Sequence, residues 1–202
     1  SAQMGSNEAG ARRLIEVHES YGGSFEQVTG ALLGYGEERM RSALAALPDG
    51  SYSFEDVVEW GDVDVPIRVE VTVDGDELLA DFTGTADQIA GNLNAVEAVT
   101  RSCLYYAVRV ATDPTIPANG GCYRPLQLRV RAGSIVAATP PAAVAAGNVE
   151  TSQRIADVLL GALAKAAPNR VHAASQGTMN NVLVGAGGTV YYETIAGGEG
   201  GG

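Results

Sequence analysis

The stretch from Ile67 to Gly84 commits this chain to sheet more firmly than any other segment. Ile67, Val69, Val71 and Val73 alternate with Arg68, Glu70 and Thr72, which gives a strand one apolar and one polar face. "DGDE" (74–77) supplies an Asp-Gly hairpin turn, and "LLADFTG" (78–84) returns. A hairpin with one apolar face must bury that face against another layer.

Helical patterns supply the layer. Asn7 is a candidate cap for a first helix with Ala11, Leu14, Ile15 and His18 on one stripe, and His18 then reads as a partly buried packing residue. "YGGS" (21–24) breaks it. A second helix is expected from about Phe25 to Leu47, with Phe25, Val28, Leu32, Met40, Leu44 and Leu47 on its stripe and Gly30, Gly34 and Gly36 weakening it. A third, from about Asn94 to Ala111, carries Val96, Val99, Cys103, Tyr106 and Val110. A fourth, from about Val149 to Ala167, carries Thr151, Ile155, Val158, Leu159, Ala162 and Leu163. Asn148 is its candidate N-cap, and Glu150, Arg154 and Asp157 share the opposite face at a spacing that allows pairing.

Three more segments read as sheet. "SYSFEDVVEW" (51–60) is a candidate strand, "LQLRVRAGSIVAA" (126–138) reads as a hairpin around Ala132-Gly133, and "NNVLVGAGGTVYYETI" (180–195) reads as two short strands around a Gly turn. Helices and hairpins do not alternate as a βαβ series. The expected class is α+β, with antiparallel hairpins and about four helices.

Charge narrows the partners. The net charge is −11, and the thirteen basic residues, twelve Arg and Lys165, form no block. Such a surface repels phosphate backbones and anionic lipid, which disfavours nucleic acid and membrane. No apolar run approaches the roughly 20 residues that span a bilayer, and "SAQMGSNEAGARR" has no apolar leader core. Cys103 and Cys122 are too few for a disulfide framework and read as reduced thiols of a cytoplasmic protein.

Common catalytic signatures are absent. No Gly-x4-Gly-Lys-Ser/Thr precedes a helix, "GYGEER" (34–39) is no dinucleotide fingerprint, and the two Cys and two His have no zinc spacing. "DVD" (62–64) and "DGD" (74–76) read as turns, not calcium loops. Ser175 follows His172 by three residues, but a hydrolase elbow needs Gly where Ala173 stands, and triad partners come from distant positions. Cys122 has no identifiable base. What stands out is the density of amides and hydroxyls in Asn148, Thr151, Ser152 and Gln153, and again in Ser175, Gln176, Thr178, Asn180 and Asn181. These groups suit neutral polar ligands such as cyclic amides or an anion at a helix start, and equally the satisfaction of buried turns.

Longer segments carry a resemblance. "PPAAVAAGNVETSQRIADVLLGAL" (140–163) and "AASQGTMNN" (173–181) resemble the hydantoinase B family, as do "YGEERMRSALAALPDGSY" (35–52), "DFTGTADQIAGNLNA" (81–95), "TDPTIPANGGCYRP" (112–125) and "YYETIAGG" (191–198). That family includes the B subunit of ATP-dependent N-methylhydantoinase, the matching half of 5-oxoprolinase and a related subunit of acetone carboxylase.

The resemblance implies ATP-linked opening of a small cyclic amide, hydantoin or 5-oxoproline. An A-type partner binds ATP with Mg and activates the substrate, and the B-type subunit processes the intermediate. It also implies that residues 1–202 are an internal segment of a larger subunit, one domain ending in a Gly-rich run at 197–202, inactive alone. In the family the upstream part carries His/Asp ligands for a divalent metal in the acetone carboxylase branch. Neither metal nor cofactor is therefore expected in this segment. Candidate substrate-lining residues are Asn148, Glu150 and Gln153, with Ser175, Gln176, Asn180 and Asn181 opposite, and Glu150 is a candidate proton shuttle. The alternatives are a segment of an acetone carboxylase-type metal-dependent ligase, or a non-catalytic assembly domain.

Overall fold

The structure, a computed structural model, describes residues 2–196. The Gly-rich end at 197–202 lies outside the described residues.

The fold is α+β. Helix α1 (Ala2–Tyr21) leads through a 3₁₀ turn (Gly22–Ser24) into α2 (Phe25–Leu44). Strands β1 (Gly50–Trp60), β2 (Val63–Asp74) and β3 (Glu77–Asp81) follow, then α3 (Glu97–Ala111) and β4 (Leu126–Arg129). A π-type turn (Gly147–Thr151) opens α4 (Ser152–Ala166), and β5 (Met179–Ala186) and β6 (Thr189–Ala196) complete the described chain.

The hairpin that opened the sequence reading forms as expected. Asp74 pairs with Glu77, Val73 with Leu78 and Val71 with Ala80. Gly75 sits in the turn at φ +58°, a backbone region that glycine enters without a Cβ clash. Val65, Ile67, Val69, Val71 and Val73 are all buried, whereas Arg68 and Glu70 face solvent. Strand β1 pairs with the whole of β2, Gly50 opposite Val73 and Trp60 opposite Val63.

The expectation of a purely antiparallel sheet is corrected by β4. It lies parallel to β3, Leu78 beside Leu126 and Asp81 beside Arg129, in a sheet ordered β1-β2-β3-β4. A parallel pair needs a long crossover, and the segment containing α3 supplies it. Residues 126–138 therefore do not form a hairpin. After Arg129 the chain turns at Gly133 (φ +82°) and runs over the core, with Ile135 and Val136 fully buried and Ser134 bridging to Asp87 and Ala137.

Where the sequence predicts about four helices, three build the core. Helix α4 buries Ile155, Val158, Leu159, Ala162 and Leu163 against the sheet and α3, the stripe the sequence predicts. A fully buried Leu of this kind contributes roughly 2 kcal/mol. Helix α2 buries only Gly36, Met40 and Leu44, so the front half of its predicted stripe does not pack. Helix α1 buries nothing. Asn7 is not its cap, because the helix already runs from Ala2. His18 is exposed instead of packed in a core. Its ring meets Phe25 edge-on at 4.9 Å between centroids, with Glu26 3.6 Å from Nε2.

Helix α3 starts at Glu97 and buries Thr100, Cys103, Leu104, Ala107, Val108 and Ala111. The predicted stripe is thus rotated. Cys103 is buried and Val99 and Val110 pack half-buried against the core, whereas Val96 and Tyr106 are exposed.

Two buried polar groups fix the start of α4. The Asn94 carboxamide donates to the carbonyls of Ile89, Gly91 and Ala143 and accepts from the Ile89 N–H. Thr151 donates to the Leu93 carbonyl. Gly147 passes so close to this loop that a Cβ would stand 2.2 Å from the Asn94 carbonyl oxygen. The last two strands form a separate ribbon around Gly187-Gly188, as the sequence predicts.

Candidate functional site

The π-type turn divides the candidate residues between two clefts. Asn148 does not cap α4. It lies within the turn, and its carbonyl accepts from the Ser152 hydroxyl at 2.9 Å. Side chains leave this turn in different directions, Asn148 to one side of the helix start and Glu150 to the other.

The first cleft, about 590 Å³, lies between α3 and the start of α4. Asn148 and Gln153 line it with Ser102, Cys103, Tyr106 and Met179, backed by small and apolar side chains of both helices. Among the described residues, neither the Asn148 nor the Gln153 carboxamide has a hydrogen-bond partner, so each presents a free donor and a free acceptor. The Cys103 thiol donates to the Ser152 carbonyl, and burial pushes its pKa up to about 11. It is a neutral wall and not a nucleophile.

The second cleft, about 340 Å³, lies on the other side of the turn. Glu150, Arg154, Gln176, Gly177 and Thr178 line it with Val58, Glu59 and Leu93. Glu150 accepts from the Thr178 hydroxyl at 2.7 Å, which ties the 172–178 loop to the helix start. Gly177 (φ +77°) lies against the Arg154 guanidinium, where a Cβ would stand 3.1 Å from Nη2. Arg154 donates to Asp56 of β1 at 2.5 Å and not to Glu150, so the predicted pairing along one helix face is replaced by a tie to the sheet. Arg154 Nε and Asp157 Oδ2 are buried without partners. Burial raises the Asp157 pKa, opposed by Arg154 and reinforced by Asp56.

Ser175, Asn180 and Asn181 are not among the residues of either cleft. The Ser175 hydroxyl accepts from the Gly177 N–H at 3.2 Å, a local turn bond. His172 Nδ1 lies 2.6 Å from the Ala173 carbonyl. Asn181 accepts from Tyr192 and Thr194 within the ribbon. Cys122 is fully buried. Among the described residues no three His, Cys, Asp or Glu side chains are grouped to hold a metal ion, and no helix is long and apolar enough to cross a membrane.

The sequence reading missed Ser102 and Met179 as cleft residues and assigned Cys103 and Tyr106 to the core. The signal was present. Helix α3 carries two adjacent apolar stripes, more than one core face needs. The stripe of Val99, Cys103 and Tyr106 turns out to be the cleft wall.

Fold and clefts together define an α+β chain with a ligand-sized cleft at a helix–helix junction. The profile of the hydantoinase B/oxoprolinase family matches residues 1–202, and the chain belongs to that family. It is 39% identical over 202 residues to an uncharacterized protein of Methanocaldococcus jannaschii, covering 98% of this chain and 35% of that one. It is 36% identical over 218 residues to 5-oxoprolinase 1 of Arabidopsis thaliana, covering 100% of this chain and 16% of that one. Its fold matches the crystal structure of an ATP-dependent caprolactamase from Pseudomonas jessenii with a TM-score of 0.80 at 25% identity, covering 95% of this chain and 34% of that one. The chain thus spans about a third or less of the length of these relatives.

Proposed function

We propose that this chain is part of the B-type polypeptide of an ATP-dependent cyclic-amide hydrolase. The supporting observation is the family match along all 202 residues together with the fold shared with a lactam-opening enzyme. In this reading an A-type partner binds ATP with Mg and activates the ring, and the B-type polypeptide completes its opening in the cytoplasm. Any divalent metal of the complete polypeptide would be held outside this segment.

Of the residues singled out in the sequence, Asn148 and Gln153 are proposed to line the substrate site, with Glu150 and Gln176 in the cleft across the turn. Asn148 and Gln153 are the best placed. A ring amide offers one acceptor and one donor side by side, and two free carboxamides on one cleft wall can meet both. Glu150 stands across the turn with Gln176, held by Thr178.

The test is reconstitution of the complete B-type polypeptide with an A-type subunit, ATP and Mg. ATP-dependent opening of hydantoin, 5-oxoproline or caprolactam supports the reading. Complex formation without turnover of any ring refutes it in favour of an assembly role, and ATP-dependent carboxylation of a ketone refutes it in favour of the ligase branch.

A further inference from the structure

Of five clefts formed by the described residues, four contain ionised side chains. The cleft on the outer face of the sheet is lined by Glu55, Arg68, Glu70, Asp81 and Lys165. The one beside the end of α2 has Arg39, Asp113 and Arg170. A shallow one along α2 has Glu37, Glu38, Arg41 and Asp76, and the one behind the π-type turn has Glu59, Glu150 and Arg154. The cleft between α3 and α4 has none, in a chain whose net charge is −11.

We infer that the α3–α4 cleft binds an uncharged ring amide and discriminates against rings that carry a carboxylate. This rests on the cyclic-amide reading above and narrows it. The chain is similar both to a 5-oxoprolinase and to a caprolactamase, whose named substrates differ in this respect: 5-oxoproline carries an anion and caprolactam does not.

The argument is one of desolvation. A carboxylate that enters a partly apolar cleft gives up its water and needs a cation or several N–H donors in return. This cleft offers two carboxamides, whose donors the ring amide itself requires, and no guanidinium or ammonium. The negative field of the chain opposes the anion further. A neutral lactam or hydantoin pays no such penalty. Its amide edge meets Asn148 and Gln153, and its carbon skeleton lies against Met179, Val99 and Ala156. The cations lining the other clefts are engaged already, and Arg170 donates to the Thr112 carbonyl. Arg68 is paired with Glu55, Lys165 donates to the Ser53 carbonyl, and Arg39 is paired with Asp113.

The test is binding of ε-caprolactam, hydantoin and 5-oxoproline to the complete B-type polypeptide at neutral pH, read by amide chemical-shift titration. The neutral rings are expected to bind at least about tenfold more tightly than 5-oxoproline, with shifts at α3 and the start of α4. Asn148→Leu and Gln153→Leu, each checked for an unchanged melting temperature, should weaken the neutral rings by about tenfold. Gln153→Arg should reverse the order by supplying the missing cation. Equal or tighter binding of 5-oxoproline by the unaltered chain overturns the inference and leaves the cyclic-amide reading standing. Binding that ignores both leucine variants overturns the placement alone. Binding of none of the three rings overturns both.

Discussion

The Arg154 guanidinium donates to the Asp56 carboxylate at 2.5 Å, tying the first turn of α4 to β1 across 98 residues of chain. The side chains are 28% and 35% exposed, between a surface pair and a buried one. Arg154→Ala is therefore expected to cost about 2 kcal/mol, above the surface range and below that of a fully buried pair. Urea denaturation measures it. A loss under about 0.5 kcal/mol would show the tie to be a solvated contact.

Asp157 lies one turn further along α4, and its burial raises its pKa. The folded state therefore holds this proton at a pH where the unfolded chain has released it. Stability from this group is complete below the unfolded pKa and is lost as pH rises through the folded one. Asp157→Asn should be more stable than the unaltered protein at neutral pH, and the difference should vanish by about pH 3. Thermal melts across pH check it, and a constant difference would refute the assignment.

Asp113 has the opposite sign. The Thr115 hydroxyl, the Arg39 guanidinium and the Thr115 N–H hold its pKa down to about 2. Its contribution is present above the ordinary carboxylate range and is lost as pH falls through that value. Asp113→Asn should be less stable at neutral pH, with the gap closing in acid. Together with the Asp157 variant it gives two opposite pH profiles from one set of melts.

The legible parts of the molecule were those whose partners lie close in sequence. The turn at Gly75 and the alternation from Ile67 to Val73 follow from local rules, and so does the β5–β6 ribbon. The stripe of α4 was legible because its apolar face is single and continuous. The parallel register of β3 and β4 was not, because nothing near Leu126 names Leu78 as its neighbour. The site was half legible. Asn148 and Gln153 drew notice as amides. That the π-type turn sends them to one cleft and Glu150 to the other depends on the docking of Gly147 against Asn94, a contact 53 residues apart in sequence (147 minus 94).

Gly121 shows the same dependence on distant chain. A Cβ there would stand 1.8 Å from the Leu33 carbonyl oxygen, which belongs to the backbone of α2 and has no flexible end to yield. Gly121→Ala should cost about 3 kcal/mol by parting α2 from the 112–125 loop. Gly185→Ala, in the ribbon where nothing lies within 4 Å, should change stability by less than about 0.5 kcal/mol. Similar losses for both would mean that the close approach does not hold in solution.

Ser175 is the remaining candidate for covalent chemistry, and its surroundings argue against that role. Its hydroxyl accepts from Gly177, and the His172 ring lies against the carbonyl of its own neighbour, so no base is aligned to take the serine proton. Ser175→Ala in the reconstituted two-subunit enzyme should lower kcat/KM by no more than about threefold, the scale of one lost turn hydrogen bond. Loss of a true nucleophile costs on the order of 10⁴-fold or more. A fall of that size with an unchanged melting temperature would make Ser175 the reacting group. The nearby Glu150–Thr178 contact would then be part of its support.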